Sequence, residues 1–291
     1  MTFDQNAFLI ILTGTLISVS CGLLGCFLIL RKMAMIGDAI SHAVLPGIVL
    51  AFFFSQQREG IAVIIGAGLL GVLATLIIDY LSSRVKLQND AAIGVTFTWL
   101  FAIGIILITL FAGRIDLDQD CVLYGEIAYI PIDLWILTNG TVMGPRVLYV
   151  AIINVILVIL YVLYFYKELK LTSFDPAFAS SIGISTVMIN LSLMGMVSYT
   201  TVSSFEAVGA ILVLALLVVP PAAAYLLTTN LKYMLALTLI FGFFTSLLGY
   251  YLAYYIDGSI AGAMASVAGI ILLGAIIYAN AVKRPLILSK A

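Results

Sequence analysis

Charged residues are scarce in this chain, and their scarcity excludes a water-soluble fold. Only 9% of the 291 residues are Asp, Glu, Lys or Arg, and 64% are hydrophobic, whereas an ordinary soluble domain carries about a quarter charged residues. Several uninterrupted apolar runs reach the roughly 20 residues that a helix needs to cross about 30 Å of hydrocarbon. The composition therefore predicts an all-α polytopic membrane protein, with residues 1–291 forming a single membrane domain.

Further absences narrow the function. The net charge is −1, so no basic field exists that would attract a nucleic acid. Three cysteines cannot form a closed set of disulfides. The sequence contains no Gly-x-x-x-x-Gly-Lys-Ser/Thr phosphate loop, so the chain has no visible means of hydrolysing ATP, and we expect a transport subunit rather than an enzyme.

Apolar runs bounded by polar clusters predict nine membrane spans, with eight as the alternative. The alternative arises at residues 201–204, a four-residue polar interruption that could form a re-entrant turn or a break within one helix rather than an external loop. The predicted spans are about 7–30, 34–54, 61–81, 91–112, 147–166, 184–201, 206–227, 233–256 and 262–282.

The distribution of basic residues predicts an N-terminus outside the cell and a cytoplasmic C-terminus. Lys and Arg accumulate in short cytoplasmic loops of membrane proteins. With the N-terminus placed outside, ten Lys and Arg residues fall in cytoplasmic segments, and only Arg58, Arg114 and Arg146 fall in external ones. The reverse orientation would place most of these charges on the wrong face.

The second predicted span carries two residues suited to binding a cation, Asp38 and the only histidine, His42. Their spacing of four places both side chains on one face of a helix, within reach of a single ion. An ionised carboxylate inside the membrane is costly unless it faces a polar cavity or a partner. Carboxylate and imidazole suit Mn²⁺, Zn²⁺ or Fe²⁺. The alternative is a buried Asp–His pair that only locks two helices together.

Three prolines and one further acid complete the candidate site. Pro46 lacks the N–H that would bond the carbonyl of His42, so it would leave a backbone oxygen free beside the two ligands. Glu206 is either an entrance ligand for the metal or an interfacial carboxylate at a helix N-terminus, where the dipole favours negative charge. Pro220 and Pro221 are expected to kink the seventh span and to act as a hinge.

After the fifth predicted span, a polar segment predicts a short helix outside the membrane. Asp175 suits the N-cap position and Pro176 the first helical position. Phe174 and Phe178 are four residues apart and would share a face of this helix. Such a helix could dock on a cytosolic partner, or it could be an interfacial segment that turns the chain back into the bilayer.

In these motifs the sequence resembles the ABC-3 family, the permeases of ABC importers for manganese, zinc and iron. The matching segments are 37–47, 122–127, 174–176 and 206–222. The resemblance implies two cytosolic ATPase subunits, an extracytoplasmic metal-binding protein, and a second permease subunit in a homodimer or a heterodimer. It also implies that Asp38 and His42 lie on the metal pathway and that the segment around Asp175 contacts the ATPase.

The sequence therefore predicts the permease subunit of an ABC importer in a bacterial cytoplasmic membrane. Partner ATPases would drive alternating access, and the transported ion would be Mn²⁺, favoured by the resemblance of 122–127 alone, or Zn²⁺ or Fe²⁺. We expect no permanently bound cofactor. The alternative is a secondary metal transporter driven by an ion gradient, although a proton-coupled design usually has more buried acids than Asp38 and Glu206. A non-transporting scaffold would leave the cost of a buried Asp–His pair unexplained.

Overall fold

The computed structural model describes residues 5–43, 45–55, 61–111, 127–136 and 142–288, and these residues are almost entirely helical. The helices are α1 (Gln5–Leu30), α2 (Ile36–Ala43), α3 (Leu45–Ser55), α4 (Ile61–Ser83), α5 (Asn89–Phe111), α6 (Arg146–Tyr164), α7 (Tyr166–Phe174), α8 (Pro176–Ser181), α9 (Thr186–Leu227), α10 (Leu231–Ile256) and α11 (Ile260–Leu288). Two short strands that the sequence did not predict, β1 (Leu134–Ile136) and β2 (Val142–Pro145), pair antiparallel between α5 and α6.

Eight helical segments among the described residues are long and apolar enough to cross a membrane. This finding confirms the prediction of an all-α polytopic membrane protein with eight or nine spans. The eight segments are Gln5–Leu30, Ile36–Ser55, Ile65–Ser83, Asn89–Leu110, Arg146–Tyr164, Ala207–Leu227, Leu231–Ile256 and Ile260–Ala281. Each overlaps one predicted span, and the predicted span 184–201 has no separate counterpart among them.

The predicted spans on either side of residues 201–204 form one helix, α9, which is bent at Gly209. This residue has φ 77° and ψ 161°, a non-helical conformation that glycine adopts readily and other residues do not. Residues 201–204 are themselves helical and buried, so neither the predicted external loop nor the alternative break lies there. The helix is interrupted at Gly209 instead. Two hydroxyls of residues 201–204 bond within the helix, Thr201 Oγ1 to Val197 O at 2.7 Å and Ser203 Oγ to Thr200 O at 3.1 Å.

Helix α9 begins and ends at the same end of the bundle. Near its start, Asn190 accepts a hydrogen bond from Arg31, which directly follows α1. Near its end, Tyr225 lines a cavity together with Leu30, the last residue of α1. A straight helix of the 42 residues in α9 would be about 63 Å long, so the bend at Gly209 must turn the chain back.

The chain begins and ends at opposite ends of the bundle. Helices α1 and α10 are antiparallel, since Gly14 lies against Ser246 whereas Cys26 Sγ is 3.2 Å from Thr238 Oγ1. Helix α11 returns towards the end of α1, and Ala279 lines the same cavity as the last residue of α1. The predicted orientation requires termini on opposite sides, and this arrangement is compatible with it. Which end faces the cytoplasm stays a prediction.

Candidate metal site and polar segment

The short helix α2 carries both predicted ligands on one face. His42 Nε2 lies 3.6 Å from Asp38 Oδ1, as the spacing of four residues predicts. The two side chains are 35% and 38% exposed. A sealed Asp–His pair that joins two helices would be buried and would come from two elements, whereas this pair is accessible and belongs to one helix. Both side chains are therefore accessible from outside the helix bundle.

Two aromatic rings of α5 hold the imidazole. The ring centroid of His42 lies 5.8 Å from that of Phe97 and 5.4 Å from that of Phe101, and Phe101 meets the imidazole edge to face. Aromatic contacts of this kind contribute about 0.5–1.5 kcal/mol each, enough to restrict the ring. Neither residue could be predicted from the sequence, because a phenylalanine in an apolar span gives no local sign of its neighbour on another helix.

Helices α2 and α3 both lie in the second predicted span, which forms one apolar helical segment, Ile36–Ser55. Helix α2 ends at Ala43 and α3 begins at Leu45, while Val44 lies outside the described residues. Pro46 is buried in the first turn of α3, where a helix does not need the N–H that proline lacks. Whether the carbonyl of His42 is free beside the two predicted ligands stays a prediction.

The described residues do not complete a metal site. Among their side chains, no group of three or more His, Cys, Asp or Glu could hold a metal ion. The backbone of Glu206 belongs to α9, but its side chain lies outside the described residues, as do residues 122–126 of the external motif. The ligand roles of Asp38, His42 and Glu206 therefore all stay predictions.

Pro220 and Pro221 are buried inside α9, and the helix continues past them to Leu227. The residue with non-helical backbone angles in α9 is Gly209, about three turns before the prolines. Pro221 packs against α1 at Gly25, which has no side chain that would occupy the same space. The prolines thus lie in a tight helix contact, and their role as a hinge stays a prediction.

The short helix predicted after the fifth span is present as α8. Asp175 Oδ1 accepts a hydrogen bond from the backbone N–H of Phe178 at 2.9 Å, and Pro176 is the first helical residue. Phe174 is the last residue of α7, however, so Phe174 and Phe178 lie on two helices and the prediction of one shared helix face is wrong. The reason is Pro176, which disfavours helical angles at Asp175 and so separates the two helices.

The α7–α8 segment, residues 166–181, presents apolar side chains beside a cavity. Phe174 and Phe178 are 55% and 52% exposed. Phe174 also lines a cavity of about 500 Å³ together with residues of α9, α10 and α11, among them Tyr225 and Ala279. Exposed aromatic rings next to a concave surface favour a contact with another protein.

Comparisons with known proteins agree with this architecture. The chain matches the model of the ABC 3 transport family over residues 3–279. It is 45% identical to the manganese transport system membrane protein MntD of Bacillus subtilis, over 94% of this chain and 92% of that protein. It is 40% identical to the zinc transport system membrane protein TroD of Treponema pallidum, over 92% and 72%. The solved structure of PsaBC from Streptococcus pneumoniae in complex with Fab is similar at a TM-score of 0.74 and 32% identity, covering 94% of this chain and 91% of that chain. The chain therefore belongs to the ABC 3 transport family.

Proposed function

We propose that this chain is the permease subunit of an ABC importer that carries divalent metal ions across a bacterial cytoplasmic membrane. The family, the manganese and zinc relatives and the eight candidate spans support this function. The observation that carries the proposal is the accessible Asp38–His42 pair, 3.6 Å apart within an otherwise apolar segment. An ion-gradient-driven transporter is not favoured, since the relatives belong to an ABC transport family.

Asp38 and His42 are the proposed side-chain ligands of the transported ion. One carboxylate and one imidazole suit Mn²⁺, Zn²⁺ and Fe²⁺, and the manganese relative favours Mn²⁺ among them. Two side chains do not fill the four-coordinate shell of Zn²⁺ or the larger shell of Mn²⁺. The remaining ligands come from water, from a backbone oxygen such as that of His42, from Glu206, or from the second permease subunit.

The proposed partners occupy opposite ends of the bundle. Cytosolic ATPase subunits contact the α7–α8 segment, whose exposed Phe174 and Phe178 support this role. An extracytoplasmic metal-binding protein delivers the ion at the other end, and a second permease subunit completes the pathway. Residues 1–291 form one permease domain whose N-terminus faces outward, and ATP is hydrolysed by the separate subunits. Alternating access requires that the two states bind the ion with different affinity.

Metal uptake by Asp38→Ala and His42→Ala tests the proposal. The complete importer is expressed in bacterial cells that lack their own manganese and zinc importers, and uptake of radioactive manganese and zinc is measured. We expect each variant to lose at least about tenfold in uptake, equivalent to about 1.4 kcal/mol of lost interaction. The amount of permease in the membrane should stay unchanged.

Asp90→Ala is the matched control, because Asp90 is an exposed acid in the first turn of α5 and should leave uptake unchanged. Normal uptake by both site variants would reduce Asp38 and His42 to a structural pair. Purification of the tagged chain from its native membrane tests the partners separately. If no ATPase subunit copurifies, the proposal of an ABC importer is wrong and the gradient-driven transporter is favoured.

A further inference from the structure

Arg31 directly follows α1, and its guanidinium bridges α7 and α9. Nε donates to Ser173 Oγ at 3.1 Å and Nη2 donates to Thr172 Oγ1 at 2.8 Å. Both hydroxyls lie at the end of α7, immediately before Asp175 and α8. Nη1 donates to Asn190 Oδ1 at 3.0 Å, in the first turns of α9. One side chain therefore ties the α7–α8 segment to two membrane helices.

The two hydroxyls are oriented to accept these hydrogen bonds. Thr172 Oγ1 donates to Glu168 O at 2.8 Å, and Ser173 Oγ donates to Leu169 O at 2.6 Å. Since each hydroxyl has one hydrogen, both oxygens are left with lone pairs for Arg31. Burial lowers the pKa of Arg31 to about 10, which still keeps the guanidinium charged at neutral pH. All three acceptors are neutral, so directional hydrogen bonds hold the group.

A well-defined turn joins Arg31 to the helix that carries the proposed ligands. The backbone N–H groups of Lys32 and Met33 donate to carbonyls in the last turn of α1 at 3.0 and 2.9 Å. With Lys32 at φ 58°, this is the hydrogen-bond pattern of a Schellman cap, which fixes the direction of the chain leaving a helix. Helix α2 begins at Ile36, and Asp38 is seven positions after Arg31.

We propose that Arg31 couples the α7–α8 segment to α2, so that a movement of this segment driven by a partner ATPase changes the position of the Asp38–His42 pair. This inference rests on the proposed function. It identifies the residue that connects the proposed ATPase contact, the α7–α8 segment, to the proposed metal ligands. Arg31 is a positioning residue, because its contacts are with hydroxyls and an amide on neighbouring helices and not with the ligand pair.

The geometry requires arginine rather than any cation. Arginine presents five N–H donors in a planar fork, so three of its nitrogens reach acceptors on two different helices at once. Lysine carries its three donors on one nitrogen and cannot replace bonds made separately by Nε, Nη1 and Nη2. Arg31→Lys therefore keeps the charge and removes the bridge, whereas Arg31→Gln removes both.

The measurement is the number of metal ions imported per ATP hydrolysed by the purified, complete importer in liposomes. We expect Arg31→Lys and Arg31→Gln to lower this ratio at least about fivefold, the lower end of typical coupling between sites. ATP hydrolysis should remain close to that of the unchanged importer. Arg84→Lys is the matched control, since Arg84 is an exposed arginine that directly follows α4, and the ratio should not change.

A second variant covers the case in which changes at Arg31 prevent assembly. Thr172→Val combined with Ser173→Ala leaves the arginine in place and removes two of its three acceptors, and the ratio should again fall. An unchanged ratio in this variant or in Arg31→Lys overturns the inference, as does an equal fall of uptake and hydrolysis, which a purely structural role predicts. If the importer without any substitution shows no ATP-dependent metal uptake, the proposed function is wrong, and this inference is wrong with it.

Discussion

Helices α1 and α2 follow one another in the chain but use their small and polar residues in different ways. In α1, small residues lie against the neighbouring helices at intervals of about one to two turns. Gly14 lies against Ser246 and Gly22 against Thr238, both on α10, and Gly25 lies against α9. Small residues at such contacts let two membrane helices approach closely and pack without lipid between them. Helix α1 therefore supports the bundle.

In helix α2 the two ionisable residues are partly exposed and do not lie in a close contact between helices. Asp38 and His42 remain about a third exposed, and Pro46 follows them in the chain. The imidazole is held from one side by the rings of Phe97 and Phe101. Small residues spaced along a whole span thus indicate a packing role, whereas an acid and a histidine beside a proline indicate a binding site. Substitutions in the two helices should therefore separate stability from transport.

The largest expected effect is that of Gly25→Ala in α1. A Cβ at this position would overlap the backbone carbonyl oxygen of Leu217, which cannot move without α9. Overpacking of this kind costs about 3 kcal/mol. We expect a clear fall in the thermal unfolding midpoint of the purified permease in detergent. The metal concentration for half-maximal uptake should stay normal in the folded molecules, because the substitution does not contact Asp38 or His42.

Gly94→Ala is the matched control for this substitution. Gly94 lies in α5, and a Cβ there would have no atom within 4 Å in the described structure, so the unfolding midpoint should be unchanged. If Gly25→Ala unfolded at the same temperature as the unchanged protein, α1 would not be a tightly packed support.

A smaller loss is expected for Gly209→Ala. With φ 77° and ψ 161°, this residue has a backbone conformation that is essentially restricted to glycine and costs other residues about 2 kcal/mol. The variant should unfold at a lower temperature than the unchanged protein, and Gly269→Ala, at an open position in α11, should not. Equal midpoints for both variants would mean that the chain can reverse without a glycine at the bend.

The features that the sequence predicted correctly depend on local spacing. The cap formed by Asp175 and the proximity of Asp38 to His42 follow from offsets of three and four residues on a helix. The membrane segments follow from length and composition alone. Local patterns of this kind need no knowledge of which helices are neighbours.

The features that the sequence missed depend on neighbours in space. Gly209 is one of 24 glycines, and nothing next to it distinguishes a reversal of the chain from a packing contact. The three hydrogen bonds of Arg31 reach residues more than 140 positions away. From its sequence neighbours, Arg31 could be predicted only to lie in a basic cytoplasmic loop. The aromatic support of His42 was missed for the same reason.

The smallest expected effect tests the other side of the comparison, at Phe101. Phe101→Leu keeps an apolar side chain in α5 and removes the ring that meets the imidazole of His42 edge to face. The lost contact amounts to about 1 kcal/mol, so the metal concentration for half-maximal uptake should rise about fivefold. The unfolding midpoint should change little, because leucine still fills most of the same apolar space.

Trp99→Leu is the matched control, because Trp99 is on the same helix, is 58% exposed and lies between the two supporting phenylalanines in sequence. Its side chain points away from the buried face of α5, so its loss should leave the metal dependence of uptake unchanged. A rise in the half-maximal concentration for both variants would indicate a general effect of α5 on transport. A lower unfolding midpoint with normal metal dependence in Phe101→Leu would place this ring with the supporting contacts of α1 rather than with the site.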